Sequence, residues 1–248
     1  MKVISYNLRK HAAAHELEEL VDRWEANVLC LQEADTAEMP HHISGLTLAS
    51  ATSKNRLGLA LYYRENMFQL QDVLTLSLKK SLHDILLRPA HERLLAARLR
   101  DIDAGRDVII ASFHAAPLTA LNSLRRHQIR TALSTLQKMG DGVPILMVGD
   151  YNYPVFKERL SERVRGAGYD LTLSDARTYT RYKFFRGHYD FATSIGLDIE
   201  KVTTLPQGAS DHLPILVSAT YKSGHRELRV PDDPSQDFEE TDADADAE

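Results

Sequence analysis

Short apolar segments rich in Val, Ile and Leu recur from residue 2 to residue 221, and most of them are too short to form buried helices. Turn-forming or polar residues bound these segments, which is typical of strands. We predict strands over residues 2–8, 27–31, 57–63, 93–99, 107–113, 145–149, 190–194, 200–205 and 213–221. A chain with this many strands must bury its core between layers of sheet and helix.

Helical spacing of apolar residues occurs in three places. In residues 12–24, Leu17, Leu20, Val21 and Trp24 fall on one face. The spacing also predicts helices over 118–139 and 155–165, each followed by glycines that favour helix termination. Many strands, few helices and strands at both ends of this region indicate an α+β layered sandwich.

The composition gives no sign of a membrane or secreted protein. The longest apolar segments are far shorter than the ~20 residues that span a bilayer. Cys30 is the one cysteine, so no internal disulfide can form, and a buried thiol in a reducing compartment is expected. The first predicted strand begins directly after Met1, and we therefore expect no signal peptide, cytoplasmic localisation and no stable membrane insertion.

Residues 232–248 form an acidic segment with nine Asp or Glu residues and no Lys or Arg. The whole chain carries −5 and this segment −9, so residues 1–231 carry +4. We predict a catalytic domain over 1–222 and a disordered acidic tail over 223–248. A solvating role for the tail is favoured over binding a partner or mimicking nucleic acid. The mildly basic body is compatible with a polyanionic substrate.

Polar residues follow the predicted strands at several points where a rigid scaffold could present them. They are carboxylates, carboxamides and imidazoles: Asn7, Glu33, His114, Asp150, Asn152, Asp190, Asp211 and His212. Hard oxygen ligands of this kind suit Mg²⁺ or Mn²⁺. Each short motif is weak alone, and their order along the chain carries the argument.

In order and spacing these motifs resemble the endonuclease/exonuclease/phosphatase superfamily over residues 1–221. The matching motifs are Ser5-Tyr6-Asn7, Leu31-Gln32-Glu33, Ser112-Phe113-His114, Gly149-Asp150-Tyr151-Asn152, Tyr189-Asp190-Phe191 and Ser210-Asp211-His212. The resemblance implies a four-layer α/β sandwich of two packed, mostly antiparallel sheets flanked by helices, with the site at one edge.

The resemblance also implies roles for these residues in hydrolysing a phosphate ester. Glu33 is expected to be the principal Mg²⁺ ligand beside Asn7, and Asp211 to support the metal or its waters. Asp150 is expected to orient or deprotonate the attacking water, and Asn152 to hold that water or the phosphate.

Two histidines and one arginine complete the expected site. His212, paired with Asp190, is expected to face the phosphate or to act as general acid or base. His114 is expected to be a second phosphate contact. Arg93 is a candidate substrate-binding residue, the alternative being a solvated arginine at a strand end.

The residues outside the motifs leave the substrate open. Arg9 stands where abasic-site endonucleases carry an aspartate, which weakens that assignment and favours a single metal ion. A DNA endo- or exonuclease is favoured, because arginines and aromatics alternate over 177–186 and arginines recur over 125–130 and 159–165. The alternative is a phosphatase or phosphodiesterase for an inositol phosphate or a sphingomyelin-like headgroup, with the apolar residues 82–87 near a membrane or over the site. A catalytically degenerate binding module is a third interpretation, and the oligomeric state stays open.

Overall fold

Two packed β-sheets form the centre of the fold in a computed structural model that describes residues 1–80, 91–153, 157–180 and 187–223. In chain order the strands are β1 (Lys2–Asn7), β2 (Val28–Ala34), β3 (His42–Ile43), β4 (Leu46–Ala51), β5 (Gly58–Tyr63), β6 (Phe68–Ser77), β7 (Glu92–Asp101), β8 (Arg106–His114), β9 (Ile145–Asp150), β10 (Asp170–Leu173), β11 (Asp190–Ile195), β12 (Leu197–Thr204) and β13 (Ile215–Tyr221).

The two sheets have a similar layout. The first runs β12-β13-β1-β2-β5-β4-β3, and the second runs β10-β11-β9-β8-β7-β6. Neighbouring strands are antiparallel except for one parallel pair near the middle of each sheet, β1 with β2 and β8 with β9. The carboxyl ends of a parallel pair meet at one edge of a sheet, and in both pairs a predicted site residue lies there: Asn7 in the first and Asp150 in the second.

Helices cover the outer faces of both sheets. They are α1 (Leu17–Trp24), preceded by a 3-10 turn at Ala14–Glu16, then α2 (Asn122–Met139) and α3 (Lys157–Gly166). Alternate residues of each strand point to opposite faces, so Val3 lies in the core between the sheets while Ile4 packs with α1. The predicted four-layer sandwich is confirmed. No helix in the described ranges is both long and apolar enough to cross a membrane.

The structure differs from the sequence prediction at four strands and two helix ends. Strands β3, β4, β6 and β10 were not predicted. Strands β10 and β6 lie at the edges of the second sheet, and β3 and β4 form the far end of the first sheet, so much of their surface is polar or exposed.

Helix α2 begins at Asn122 instead of 118, because residues 117–120 form a turn closed by the hydrogen bond from the Ala120 N–H to the Pro117 carbonyl. Helix α1 begins at Leu17, not at 12. The predicted start of α3 at 155 lies outside the described residues, as do the apolar residues 82–87.

Candidate active site

Strand pairing brings five of the predicted site residues to one edge of the sandwich. In the second sheet, Asp150 is the register partner of both His114, on the parallel strand β8, and Asp190, on the antiparallel strand β11. In the first sheet Asn7 ends β1, and its Nδ2 donates a hydrogen bond to Asp150 Oδ2 at 3.1 Å. Ser210 Oγ donates to the Asn7 carbonyl at 2.6 Å, which fixes the loop that carries His212 beside the end of β1.

Asp150 is the centre of these contacts. Its Oδ1 accepts the Asn152 backbone N–H at 2.9 Å, and its Oδ2 accepts the Asn152 side-chain amide at 3.2 Å. The Nε2 atoms of His212 and His114 lie 3.7 and 3.8 Å from Oδ2. Asn152 itself has a φ of 46°, a left-handed conformation that Asn tolerates better than most residues.

His212 and Asp190 form the hydrogen-bonded pair predicted from the sequence. His212 Nδ1 lies 2.8 Å from Asp190 Oδ2. An ionised carboxylate can only accept, so Nδ1 carries the proton and Nε2 faces Asp150. Thr178 Oγ1 accepts the Asp190 backbone N–H at 3.1 Å, and the Thr178 carbonyl accepts the N–H of Leu213. One buried threonine thus holds both halves of the pair.

Burial and charge shift the titration of the three central groups in different directions. Burial alone would lower the pKa of His212, but Coulombic attraction to Asp190 and Asp150 and the hydrogen bond to Asp190 raise it to about 10. Burial raises the pKa of Asp150 to about 7 against the opposing charge of His212. Burial, with the positive charges of Arg93 and His212, lowers the pKa of His114 to about 3. At neutral pH the site therefore holds one imidazolium and one neutral imidazole.

Glu33 lies next to Gln32, the register partner of Asn7, and so at the same edge of the first sheet. It is half-buried with a φ of 53°, and its carboxylate accepts the Lys10 backbone N–H at 2.9 Å. Among the described contacts none joins Glu33 directly to Asp150. Asp211 is 12% exposed and its carboxylate lies 3.8 Å from Arg9 Nε, so Arg9 adds a positive charge at this edge.

Arg93 is 3% exposed and donates from Nη1 to the carbonyls of His114 and Ala115, at 3.0 and 2.8 Å. The alternative interpretation, a solvated arginine at the end of a strand, is therefore wrong. Arg93 positions the backbone that carries His114.

Three buried polar residues near the site were not among the predicted site residues. Gln32 Nε2 donates to Ser112 Oγ at 2.9 Å, which bridges the two sheets. Thr178 supports the His212–Asp190 pair as described above. Arg125 is one of the arginines of 125–130 that favoured a nucleic-acid substrate, yet it is 2% exposed and donates to the Pro117 carbonyl and to Asn122. The Gln-Glu motif could have identified Gln32. Thr178 depends on tertiary contacts, and Arg125 on the turn that precedes α2.

The donor groups suit a hard divalent cation. Ligand atoms of Asp150, Asp190 and His212 lie within 4.8 Å of one another. A cationic His212 cannot donate a lone pair from Nδ1, because that atom carries a proton toward Asp190. The oxygen donors at this edge include Asp150, Asp190, Asn7, Glu33 and Asp211. Burial raises the pKa of Asp150 despite the nearby charge of His212, and a cation bound at this edge would favour the ionised carboxylate.

Comparison with known proteins identifies the class to which this fold and site belong. Residues 4–212 match the Endonuclease/Exonuclease/phosphatase family, so the chain is a member of it. The family assignment that the sequence motifs implied is confirmed.

The descriptions of two structural neighbours name different substrates or products, whereas the name of the sequence relative gives none. Over 219 residues the chain is 22% identical to the carbon catabolite repressor protein 4 homolog 5 of Arabidopsis thaliana, covering 79% of this chain and 47% of that protein, about half its length. The mannosyl-6-phosphatase Bt3783 of Bacteroides thetaiotaomicron is similar in structure, with a TM-score of 0.71, 15% identity and coverage of 89% and 100% of the two chains. TDP2 of D. rerio, complexed with a single-strand DNA product, has a TM-score of 0.70, 12% identity and coverage of 89% and 98%. At these identities the structural matches show the fold alone.

Proposed function

We propose that this chain is a Mg²⁺- or Mn²⁺-dependent phosphodiesterase that cleaves nucleic acid, most readily DNA. The observation that carries the proposal is the buried group in which Asp150 faces His212 while His212 is bonded to Asp190. Hydrolysing a phosphodiester requires an oriented water, charge stabilisation of the phosphoryl oxygens and a proton for the leaving oxygen. This group of residues supports each requirement.

His212 is suited to the phosphoryl group. Its Nε2 points away from Asp190 and, as an imidazolium, can donate a hydrogen bond to a phosphoryl or leaving oxygen. Asp190 fixes the orientation of the ring and keeps it protonated. In this role His212 stabilises the negative charge that develops on the phosphoryl or leaving oxygen. Asp190 contributes indirectly, by positioning His212.

Asp150 is suited to the attacking water. Asn7 and Asn152 fix its carboxylate by hydrogen bonds at 3.1 and 3.2 Å, so its orientation does not depend on substrate. An ionised Asp150 can accept the proton of the water as the water attacks phosphorus. His114, neutral at pH 7, can donate one hydrogen bond to a phosphoryl oxygen without adding charge. Arg93 positions His114 and stays, with Asn152, a candidate for substrate contact.

Glu33 and Asn7 would hold the divalent ion, with Asp211 supporting it or its waters. When bound there, the ion supplies neutralisation of the negative charge on the phosphoryl group.

Nucleic acid is favoured as substrate because residues 1–231 carry +4 and exposed arginines lie on α2 and α3. Of the basic and aromatic segment 177–186, residues 181–186 lie outside the described part of the chain. The alternative is a phosphatase or phosphodiesterase for a small molecule, such as an inositol phosphate, or for a phospholipid headgroup.

A substrate panel tests the proposal. Plasmid, single-strand DNA, abasic duplex, RNA, inositol phosphates and sphingomyelin are each incubated with Mg²⁺ or Mn²⁺, and Asp150→Asn is compared with Asp198→Asn, an exposed carboxylate of β12. We expect DNA cleavage that Asp150→Asn abolishes and Asp198→Asn leaves intact. Release of phosphate from inositol phosphates alone would refute the nuclease assignment.

The metal requirement is tested with the same substrates. EDTA should abolish turnover, and Glu33→Gln should raise the Mg²⁺ concentration needed for half-maximal rate while circular dichroism stays unchanged. Full activity in excess chelator would exclude the mechanism.

A further inference from the structure

A basic groove of about 500 Å³ lies between α2 and α3, on the outer face of the second sheet. Its walls carry Arg126, His127, Arg130 and Arg163, and its floor is apolar, including Leu133 and Leu160. None of the described residues that line it is acidic. Arg130 and Arg163 are exposed and make no hydrogen bond or ion pair with the described residues. Such a surface fits a segment that combines negative charge with an apolar side chain.

The acidic segment 232–248 has this chemistry. Its nine carboxylates surround one large apolar side chain, Phe238, which follows Asp237 and precedes Glu239 and Glu240. An aromatic ring can bury its faces against leucines while the flanking carboxylates pair with arginines.

The described part of the chain ends close to the groove, and the acidic segment follows in the sequence. Lys222 follows the last strand, and its Nζ lies 2.7 Å from Asp170 Oδ2. Asp170 comes four residues after Gly166, which lines the groove at the end of α3. The helix is about 15 Å long. The 15 residues between Lys222 and Phe238 have an average span of roughly 20 Å as a flexible chain, so Phe238 can reach the groove.

We propose that the acidic segment 232–248 binds the α2–α3 groove of its own chain, with Phe238 on the apolar floor and the carboxylates against Arg130 and Arg163. Tethering raises the effective concentration of the segment at the groove to the millimolar range, so weak individual contacts suffice. The proposal does not rest on the proposed enzymatic function. It assigns the segment a binding partner where its composition alone favoured a solvating role.

Paramagnetic relaxation measures the contact directly in the full chain. A nitroxide is attached at Thr241→Cys; Cys30 is fully buried and stays unlabelled. We expect the methyl signals of Ile129, Leu133 and Val164 to broaden strongly, while those of Val21, on the opposite outer layer, do not. Broadening should fall in about 1 M NaCl, where the Debye length is about 3 Å.

Charge reversal supplies the decisive comparison. Arg130→Glu with Arg163→Glu should abolish the broadening, and Phe238→Ser should weaken it. The matched control, Lys138→Glu with Arg165→Glu, changes exposed cations on the same two helices that do not line the groove and should keep the broadening. Neutralising the nine acids to amides, which leaves the folded body untouched, should also abolish it.

The proposal is overturned if the signals at the groove do not broaden. It is also overturned if they broaden equally with and without charge reversal of Arg130 and Arg163. Broadening that passes from a labelled chain to a separate enriched chain would assign the segment to a second copy. Groove signals that respond to a single-strand oligonucleotide but never to the label would assign the groove to nucleic acid.

Discussion

The His212 imidazole lies between two buried carboxylates, at 2.8 Å from Asp190 and 3.7 Å from Asp150. His212→Ala should lower kcat by about 10³-fold or more, because charge stabilisation and proton donation are lost together. Asp190→Asn should cost less, since the imidazole remains. Adding Asp190→Asn to His212→Ala should cost little further, because residues that act as a unit are non-additive. Single-turnover rates of the four proteins measure this cycle.

The matched cycle pairs His212→Ala with Asp198→Asn on the exposed face of β12, where no effect of the second change is expected. Multiplicative losses from His212→Ala and Asp190→Asn would show that the two side chains act separately, despite their hydrogen bond.

His114 gives the site a dependence on pH that stability measurements can isolate. Its folded pKa is about 3, well below the 6.5 of a free histidine, because burial and the charges of Arg93 and His212 disfavour the cation. Between pH 6.5 and pH 3, His114 binds a proton in the unfolded chain but not in the folded chain, which lowers the free energy of unfolding. The contribution of His114 to stability is therefore complete above pH 6.5 and is lost as the pH falls toward 3. From pH 7 to pH 5 the loss is about 2 kcal/mol.

His114→Gln removes this proton uptake, so the variant should lose less stability than the native protein over that pH range, as urea unfolding measures. Asp150 opposes the effect in the native protein, because its raised pKa favours the folded state as pH falls from 7. Because both proteins contain Asp150, the difference between their pH-dependent free energies of unfolding reports the contribution of His114 alone. His15→Gln, at a side chain 71% exposed, is the matched control and should leave the slope unchanged. Parallel slopes for His114→Gln and the native protein would contradict the assignment.

At the scale of elements, β9 requires a glycine directly before Asp150. Gly149 has a φ of 147°, and a Cβ there would lie 1.9 Å from the carbonyl oxygen of Phe113 on β8. Gly149→Ala must therefore separate the parallel pair at the residue that positions Asp150. We expect a loss of about 3 kcal/mol or more, from backbone strain and overpacking combined.

Gly105→Ala is the comparison, because Gly105 has a φ of 63° but no neighbour within 4 Å of the added carbon. It should cost about 1 kcal/mol, the strain of a left-handed alanine alone. Similar melting temperatures for the two variants would show that strain, and not the contact with Phe113, governs Gly149.

The sequence predicted the central strands well because their burial on both faces makes them continuously apolar, as in Ile145–Asp150. Edge strands have a weaker apolar pattern, because much of their surface is exposed. In β6 Phe68 is buried but most of the following residues are half-buried or exposed, and its pairing with β7 defines it as a strand. The motifs predicted which side chains gather around Asp150, since their strands end at one edge. Thr178 could not be predicted, because its partners Asp190 and Leu213 lie in later segments of the chain. Arg125 could not be predicted, because its bond to the Pro117 carbonyl depends on the turn that precedes α2.

At the scale of the whole molecule, the charge of the chain is divided between a body of +4 and an acidic segment of −9. A segment that occupies the α2–α3 groove lies near the site, because Arg126 Nη1 is 3.3 Å from the Tyr153 hydroxyl and Tyr153 follows Asn152. A polyanionic substrate must then compete with it for the same arginines. Competition of this kind is strong at low salt and weak at high salt.

Replacing the nine acids with their amides should therefore tighten binding of single-strand DNA several-fold at low ionic strength, measured by fluorescence anisotropy, and the two affinities should converge in about 1 M salt. Turnover of a small chromogenic phosphodiester should not change, since such a substrate does not reach the groove. The free energy of unfolding should change by less than about 1 kcal/mol, because exposed ion pairs contribute little. Glu18→Gln with Glu19→Gln, two exposed acids of α1, is the control and should leave DNA affinity nearly unchanged. Equal DNA affinity at low salt for the native and neutralised chains would show that the acidic segment does not compete with substrate.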